Sequence, residues 1–200
     1  MSKVEAILNF WFEGISGPQQ LFGAISAMWF NSTEEFNNRI RSEFLADIDK
    51  AIAGEHDEWL SSPRGCLAAI ILLDQFTRNM FPDSIEQIKG DKKAISIAEH
   101  LIQQGFENDL WPIHLAFVYL PFEHSEEAKY QELAVRKFTE LVDRCPENLK
   151  EEARDSFLRY ALLHKKVIDR FGRYPGRNYY MGRVSTEEEE KYLKEDEFGF

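Results

Sequence analysis

The chain has 200 residues, of which 44% are hydrophobic and 14% aromatic, and this is enough apolar material for one compact domain. Its 35 acidic and 24 basic side chains give a formal net charge of -11, which argues against nucleic acid and anionic membranes as partners. The longest aliphatic run, 67–73, is far shorter than the roughly 18 apolar residues of a membrane span. Cys66 and Cys145 lack metal-type spacing and no apolar secretory segment follows the first residues, so we expect a cytoplasmic protein in a reducing compartment.

Helix start and stop signals recur along the whole chain, and no segment alternates apolar and polar residues over the length of a strand. In chain order, the predicted helices cover residues 2–12, 21–30, 32–54, 62–76, 91–104, 110–120, 125–144, 147–171 and 185–195. The sequence therefore predicts a single all-helical domain, 1–200, in which 185–200 form an acidic terminal helix and a tail.

Several helix ends follow from particular residues. Capping boxes, in which a serine and a glutamate satisfy each other's backbone N–H groups, are predicted at Ser2 with Glu5, Ser32 with Glu35 and Ser185 with Glu188. Proline lacks the N–H that a helix interior requires, so Pro121 is expected to end the helix 110–120.

The helices 125–144 and 147–171 are expected to form an antiparallel hairpin. Ala134, Phe138 and Pro146 fall at the offsets of the second half of a tetratricopeptide repeat, whereas the first half of that pattern is absent. The predicted fold class is all-α, with stacked antiparallel helical hairpins that are tetratricopeptide-like in their stacking, not a counted repeat array.

Polar residues appear where the most apolar helix ends. A buried carboxylate at Asp74 needs a partner, and Arg78 lies four residues later on the same helical face. A structural ion pair is the simpler interpretation. The alternative is that Asp74, Gln75, Arg78 and Asn79 belong to a ligand site.

A second group of titratable residues lies at a predicted helix junction. Glu123, His124 and Glu126 could act as a general acid and base, with the flanking carboxylates favouring the imidazolium or one histidine tautomer. Alternatively, Ser125 and Glu126 cap the following helix and Glu123 pairs with an arginine. Too few ligands converge for a metal, so no metal and no cofactor is predicted.

His164 faces inward on its helix, where a histidine is more often a hydrogen-bonded core residue.

The third element is a local reversal of charge. The segment 164–183 contains six lysines and arginines and only Asp169 as an acid. Arg173, Arg177 and Asn178 lie on one constrained loop, and guanidinium groups of this kind suit a carboxylate or a phosphate. The alternative is that these arginines neutralise the preceding helix terminus and bind acidic residues within the fold, Asp74 or Glu123 among them.

Taken together, the segments LLDQFTRNMF (72–81), YLPFEHSE (119–126), RFGRYPGRN (170–178) and MGRVSTEEE (181–189) resemble the DUF924 family of bacterial proteins. The resemblance covers most of the chain and implies an all-helical domain with tetratricopeptide-like stacking and no established function. The polar positions that it implies are Asp74, Gln75, Arg78, Asn79, Glu123, His124, Glu126, Arg173, Pro175, Arg177 and Asn178. The chain departs from the family pattern at Thr77, Pro82 and Gly176, where proline, arginine and histidine are usual, and the last departure puts in doubt a catalytic scheme that needs this histidine.

One shared pocket explains the three polar elements more economically than three unrelated structural roles. The first hypothesis is a pocket between helices in which Arg78, Arg173 and Arg177 hold a small anionic molecule. The second is a tetratricopeptide-like scaffold that binds a protein partner. The third is a hydrolase-type enzyme in which His124 works with Glu123 or Glu126. The sequence does not identify a ligand, a reaction or an oligomeric state.

Overall fold

The structure, a computed structural model, describes residues 1–23 and 25–195, and within these ranges it contains helices and no strands. In chain order the helices are α1 (Lys3–Trp11), α2 (Ala27–Phe30), α3 (Glu34–Ala53), α4 (Pro63–Ile70, the π-helical turn Ile71–Phe76 and Thr77–Met80), α5 (Asp91–Gln103), α6 (Pro112–Glu123), α7 (Ala128–Arg144), α8 (Lys150–Ala153, the π-helical turn Arg154–Leu158 and Arg159–Phe171) and α9 (Glu187–Glu195). The predicted all-α fold class is confirmed, and the predicted tail, 196–200, lies outside the described residues.

Two of the predicted capping boxes are shifted by one residue. The hydroxyl of Thr33, not that of Ser32, accepts the N–H of Phe36 and begins α3. At α9, the Thr186 hydroxyl accepts the N–H of Glu189, whose carboxylate accepts the N–H of Thr186 in return. In both cases the threonine that directly follows the predicted serine occupies the cap position, so Ser32 with Glu35 and Ser185 with Glu188 were wrong pairs.

Helix α4 is the centre of the molecule. The Ser62 hydroxyl caps its start by accepting the N–H of Gly65, and every residue from 65 to 77 is buried. Gly90, just before α5, lies directly against this helix, because a Cβ at that position would come within 2.2 Å of the Leu73 carbonyl oxygen. Only glycine permits this approach, which brings the start of α5 beside the polar end of α4.

Helix α6 does not end at Pro121, contrary to the prediction. It continues to Glu123, and the N–H of His124 still donates to the carbonyl of Leu120. All residues from 113 to 123 are buried. Packing on every side therefore keeps the helix continuous at Pro121, where one backbone hydrogen bond is missing. The continued helix carries Glu123 and His124 to a buried position.

Helices α6, α7 and α8 pack successively against one another. The α7–α8 hairpin was predicted, but α7 begins at Ala128 and not at Ser125. The Ser125 hydroxyl accepts the N–H of Glu127 in the turn before α7. The tetratricopeptide-like character of the stacking stays a prediction. No helix in the described ranges has the length and apolar composition required to cross a membrane.

Candidate functional site

A cavity of about 610 Å³ lies between α6 and α8. Its aromatic lining contains Phe22, Phe30 and Phe157, and its polar lining includes Glu123, His124 and His164, which are called here the polar floor. A volume of this size, with an apolar wall and a few convergent polar groups, is typical of small-molecule sites.

Asp74 lies directly behind the polar floor. It is fully buried in the π-helical turn of α4, and its Oδ1 is 2.7 Å from Nδ1 of His124 and 2.9 Å from Nη1 of Arg78. The Gln75 amide donates to the other carboxylate oxygen at 2.5 Å. Burial raises the pKa of Asp74, but the charge of Arg78 and the hydrogen bonds from His124 and Gln75 outweigh it and lower the pKa to about 2. Asp74 is therefore a carboxylate at neutral pH.

Arg78 joins α4 to α5. Besides its bond with Asp74, its guanidinium forms two parallel bonds with Asp91, at 2.9 and 3.1 Å. The predicted ion pair between Asp74 and Arg78 is confirmed, and it is part of a larger network. Because both carboxylates face one guanidinium, Arg78 is held in place and its positive charge is compensated.

The contact with Asp74 determines the tautomer of His124. An ionised carboxylate only accepts hydrogen bonds, so Nδ1 of His124 carries a proton. Burial and the charge of Arg78 lower the pKa of His124, and they outweigh the opposite effect of Asp74, so the ring is neutral at pH 7. Nε2 then has a free electron pair, forms no hydrogen bond with any described residue, and belongs to a ring that lines the cavity. His124 therefore offers a proton acceptor to the cavity.

Glu123 and His164 form the second contact of the polar floor. Nδ1 of His164 lies 2.9 Å from the carbonyl oxygen of Tyr160 and 3.2 Å from Oε1 of Glu123. Since a carbonyl only accepts, this Nδ1 carries a proton, and burial lowers the pKa of His164 to about 3. Burial and the nearby charge of Asp74 raise the pKa of Glu123 to about 8. Glu123 is thus mainly protonated at pH 7, and its Oε2 is a buried oxygen without a hydrogen-bond partner among the described residues.

The end of α6 that carries these residues is fastened by the loop 172–186. The Tyr174 hydroxyl donates to the Glu123 carbonyl at 2.6 Å, and Nη2 of Arg177 donates to the His124 carbonyl at 2.8 Å. Gln131, from α7, donates to the Glu123 carbonyl at 2.7 Å. The last carbonyls of a helix lack partners within it, so these three side chains cap α6 and position the polar floor.

Among the predicted site residues, Glu123 and His124 line the cavity, and four of the others are bound elsewhere in the fold. The Glu126 carboxylate is bound by Arg183 at 2.7 and 2.9 Å, and Arg173 is bound to Glu189 at 2.6 and 2.8 Å. The amide of Asn178 donates to the Ser185 hydroxyl, and that of Asn79 donates to Asn37. These bonds hold the loop 172–186, the helix α9 and the contact between α3 and α4.

Three interpretations of the sequence are corrected by these contacts. The carboxylate that holds His124 is Asp74, fifty residues earlier in the chain, and not the neighbouring Glu126. Glu123 pairs with His164 and not with an arginine. The arginines of the loop bind neither Asp74 nor Glu123.

The sequence analysis missed His164 as a residue of the floor, and it missed the polar rim formed by Asp155, Ser156 and Arg159. The inward position of His164 was the one available signal, and it was interpreted as a core position. Asp155 and Ser156 face the cavity from the π-helical turn of α8. π-Helical turns have no clear sequence signature and are frequent at functional sites.

Among the described residues, no three or more His, Cys, Asp or Glu side chains are grouped in a way that could hold a metal ion.

A family model described as "Bacterial protein of unknown function (DUF924)" matches residues 7–197, a range that includes every residue of the polar floor. Among solved structures, that of the protein of unknown function ATU0120 from Agrobacterium tumefaciens is similar to the chain, with 30% identity and a TM-score of 0.78. The alignment covers 96% of this chain and 97% of that chain. A comparison with curated proteins finds no match.

Proposed function

The chain belongs to the DUF924 family of bacterial proteins, and from the geometry of its site we propose that it is an enzyme that binds a small anionic molecule in the cavity and hydrolyses it by acid–base catalysis. The observation that carries this proposal is the hydrogen bond between Nδ1 of His124 and the buried carboxylate of Asp74. A buried carboxylate that fixes one tautomer of a histidine, with the other ring nitrogen at a cavity, is the arrangement that prepares a general base.

His124 is the base of the proposed reaction. A water molecule in the cavity gives a proton to Nε2 of His124 as its oxygen attacks the carbonyl carbon of an ester. The ring then becomes an imidazolium, and the Asp74 carboxylate at 2.7 Å stabilises the new positive charge. Ser125 is not needed as a nucleophile, because its hydroxyl is engaged with the N–H of Glu127.

Glu123 is the acid. When the carbon–oxygen bond of the ester breaks, the leaving oxygen takes the proton of Glu123. The pKa of this carboxyl, about 8, keeps the proton available at neutral pH, whereas Asp74, with a pKa of about 2, stays ionised. Two carboxyl groups whose environments separate their pKa values in this way are typical of acid–base sites.

Arg177 does not line the cavity, but it binds the backbone of His124, which does, and we infer that it attracts an anionic ligand. Its Nη2 is engaged with the His124 carbonyl, while its Nε and Nη1 form no hydrogen bond with a described residue. Arg78 and Arg173 are already bound to carboxylates, so Arg177 is the better candidate among the three predicted arginines. A ligand carboxylate at Arg177 would lie beside the polar floor.

The test uses two chromogenic esters, 4-nitrophenyl acetate and the anionic mono(4-nitrophenyl) glutarate. We expect the wild-type protein to hydrolyse both above the rate in buffer, and His124→Asn and Asp74→Asn each to lower kcat/KM by roughly 10²- to 10⁴-fold. Arg177→Gln should raise KM for the glutarate ester and leave KM for the acetate unchanged. Arg170→Gln is the matched control, because Arg170 binds the exposed Glu188 at the surface and lies outside the cavity.

Hydrolysis of neither ester, or full activity of His124→Asn in a protein whose melting temperature is unchanged, would refute the catalytic proposal. In that case, reproducible recovery of one protein partner would favour the scaffold hypothesis, and binding of glutarate alone would favour a ligand-binding protein without turnover.

A further inference from the structure

A second cleft lies at the opposite end of α6, away from His124. It has a volume of about 290 Å³ and is formed where the end of α1, the start of α4 and the start of α6 meet. Leu8, Phe12 and Ile15 provide its apolar surface, and His114 and Arg64 are its basic side chains. The proposed reaction uses none of these residues.

His114 is the buried polar group of this cleft. It is only 6% exposed, and its ring lies between the parallel ring of Trp111 and the edge-on ring of Phe12, with centroid distances of 4.9 and 4.7 Å. Nδ1 accepts the backbone N–H of Trp111 at 3.4 Å, so in the neutral ring the proton is on Nε2. No described residue accepts a hydrogen bond from Nε2, and the ring lines the cleft. A ligand in the cleft could supply the acceptor that this donor lacks among the described residues.

The N-terminus of a helix and the guanidinium of Arg64 both lie close to His114. His114 is the third residue of α6, a twelve-residue helix whose N-terminus carries unpaired N–H groups and the positive end of the helix dipole. Arg64 lines the same cleft, and its charge acts with burial to lower the pKa of His114 to about 4. The Arg64 guanidinium uses Nε and Nη2 to bind Glu5, at 3.0 and 2.8 Å, which leaves Nη1 for a ligand.

We propose that this cleft binds the carboxylate of a small molecule with an apolar body. Nε2 of His114 and Nη1 of Arg64 donate to the two carboxylate oxygens, and the apolar body packs on Leu8, Phe12 and Ile15. Two acidic side chains limit the negative charge that the site accepts: Glu5 already compensates Arg64, and the exposed Glu13 lies on the rim. A single carboxylate therefore fits the site better than a phosphate dianion.

The test follows the imidazole NMR signals of His114 while the full-length protein is titrated with 3-phenylpropionate. We expect saturable shifts of these signals and a higher pKa of His114 in the complex, because a bound anion favours the imidazolium. The neutral 3-phenylpropan-1-ol and inorganic phosphate are the matched probes, and neither should produce these shifts. Absence of a shift at about 10 mM 3-phenylpropionate, or equal shifts with either matched probe, would overturn the proposal.

Three variants separate a site from a packing contact. His114→Phe keeps an aromatic ring between Trp111 and Phe12 but removes the donor, and Arg64→Gln removes the charge of an exposed side chain. Each variant should weaken the binding of 3-phenylpropionate, measured by calorimetry, at least about tenfold. Glu5→Gln is the control, since it breaks the ion pair with Arg64 without touching the cleft, and binding should be equal or tighter. Unchanged affinity in both His114→Phe and Arg64→Gln would place the ligand elsewhere. The His124→Asn variant should bind as the wild type does, so this result does not depend on the proposed reaction.

Discussion

Glu123 is the residue whose ionisation should dominate the pH dependence of stability above neutral pH. Its pKa is raised from 4.5 to about 8 in the folded protein, so between these values the native state holds a proton that the unfolded state has lost. By linkage, this makes the free energy of unfolding fall as the pH rises through that window. The histidines of the polar floor have the opposite effect on stability. Because the pKa of His164 is lowered from 6.5 to about 3, its contribution to the free energy of unfolding increases as the pH rises through this range and is constant above pH 6.5.

The effect of Glu123 should therefore be isolated between pH 6.5 and pH 8. One proton corresponds to about 1.4 kcal/mol per pH unit, so we expect the free energy of unfolding to fall by about 1.5 to 2 kcal/mol across this range in the wild type. Glu123→Gln cannot ionise and should remove the slope, whereas Glu127→Gln, an exposed control in the following turn, should keep it. Urea unfolding at both pH values measures the difference, and equal slopes in wild type and Glu123→Gln would show that Glu123 is already ionised at pH 6.5.

At the residue scale, the sequence predicted contacts between neighbours and missed contacts between helices. The four-residue spacing of Asp74 and Arg78 predicted their ion pair, because helix geometry alone brings such residues together. The bond between Asp74 and His124 depends on how α4 packs against α6, and no local pattern contains that information. For the same reason the partner of Glu126, Arg183, was not identified.

At the element scale, composition and caps located the helices well and their irregularities poorly. Every α-helix of the described residues was predicted, but α2 begins at Ala27, six residues after its predicted start. The starts of α3 and α9 were displaced because a threonine follows the predicted serine cap. Pro121 was misinterpreted because its cost of roughly 3 kcal/mol is offset by burial along α6, which a local rule does not include. The π-helical turns of α4 and α8, which carry Asp74 and Asp155, could not be read from the sequence.

Helix α9 is the element whose attachment most directly affects the site. Glu189 of α9 is buried and binds Arg173, and the bonds with Arg173 lower the pKa of this carboxyl to about 2. This stabilisation is present above about pH 4.5 and is lost as the pH falls towards 2. At neutral pH, Glu189→Gln should therefore loosen α9 and the loop 172–186 that it fastens.

Hydrogen exchange measured by mass spectrometry tests this at pH 7. We expect faster exchange of the amides in α9 and in the loop 172–186 of Glu189→Gln, and unchanged exchange in α3 and α5, which lie outside this contact. The same substitution at the exposed Glu188, which binds Arg170 at the surface, should have little effect. Unchanged exchange in Glu189→Gln would mean that apolar contacts, such as that between Phe171 and Tyr192, suffice to hold α9.

At the scale of the whole molecule, one aromatic cluster joins the first half of the chain to the site. Phe76, fully buried at the end of the π-helical turn, contacts Phe10, Trp11 and Phe44, with ring centroids 5.8, 5.6 and 4.9 Å away. These rings come from α1 and α3, so Phe76 ties both helices to the one that carries Asp74. The high aromatic content of the sequence predicted a large core, but not which rings meet.

Phe76→Ala should consequently destabilise the whole domain and not only α4. Replacing a fully buried phenylalanine by alanine removes its transfer free energy and leaves a cavity, and we expect the free energy of unfolding to fall by about 3 to 5 kcal/mol. Tyr179→Ala is the control, because this aromatic side chain is 89% exposed and its loss should change stability by no more than about 0.5 kcal/mol. Urea unfolding followed by both tryptophan fluorescence and circular dichroism measures the loss, and coincident transitions would show that α1, α3 and the site unfold as one unit. A loss below about 1 kcal/mol, or two separate transitions, would contradict the central position assigned to α4.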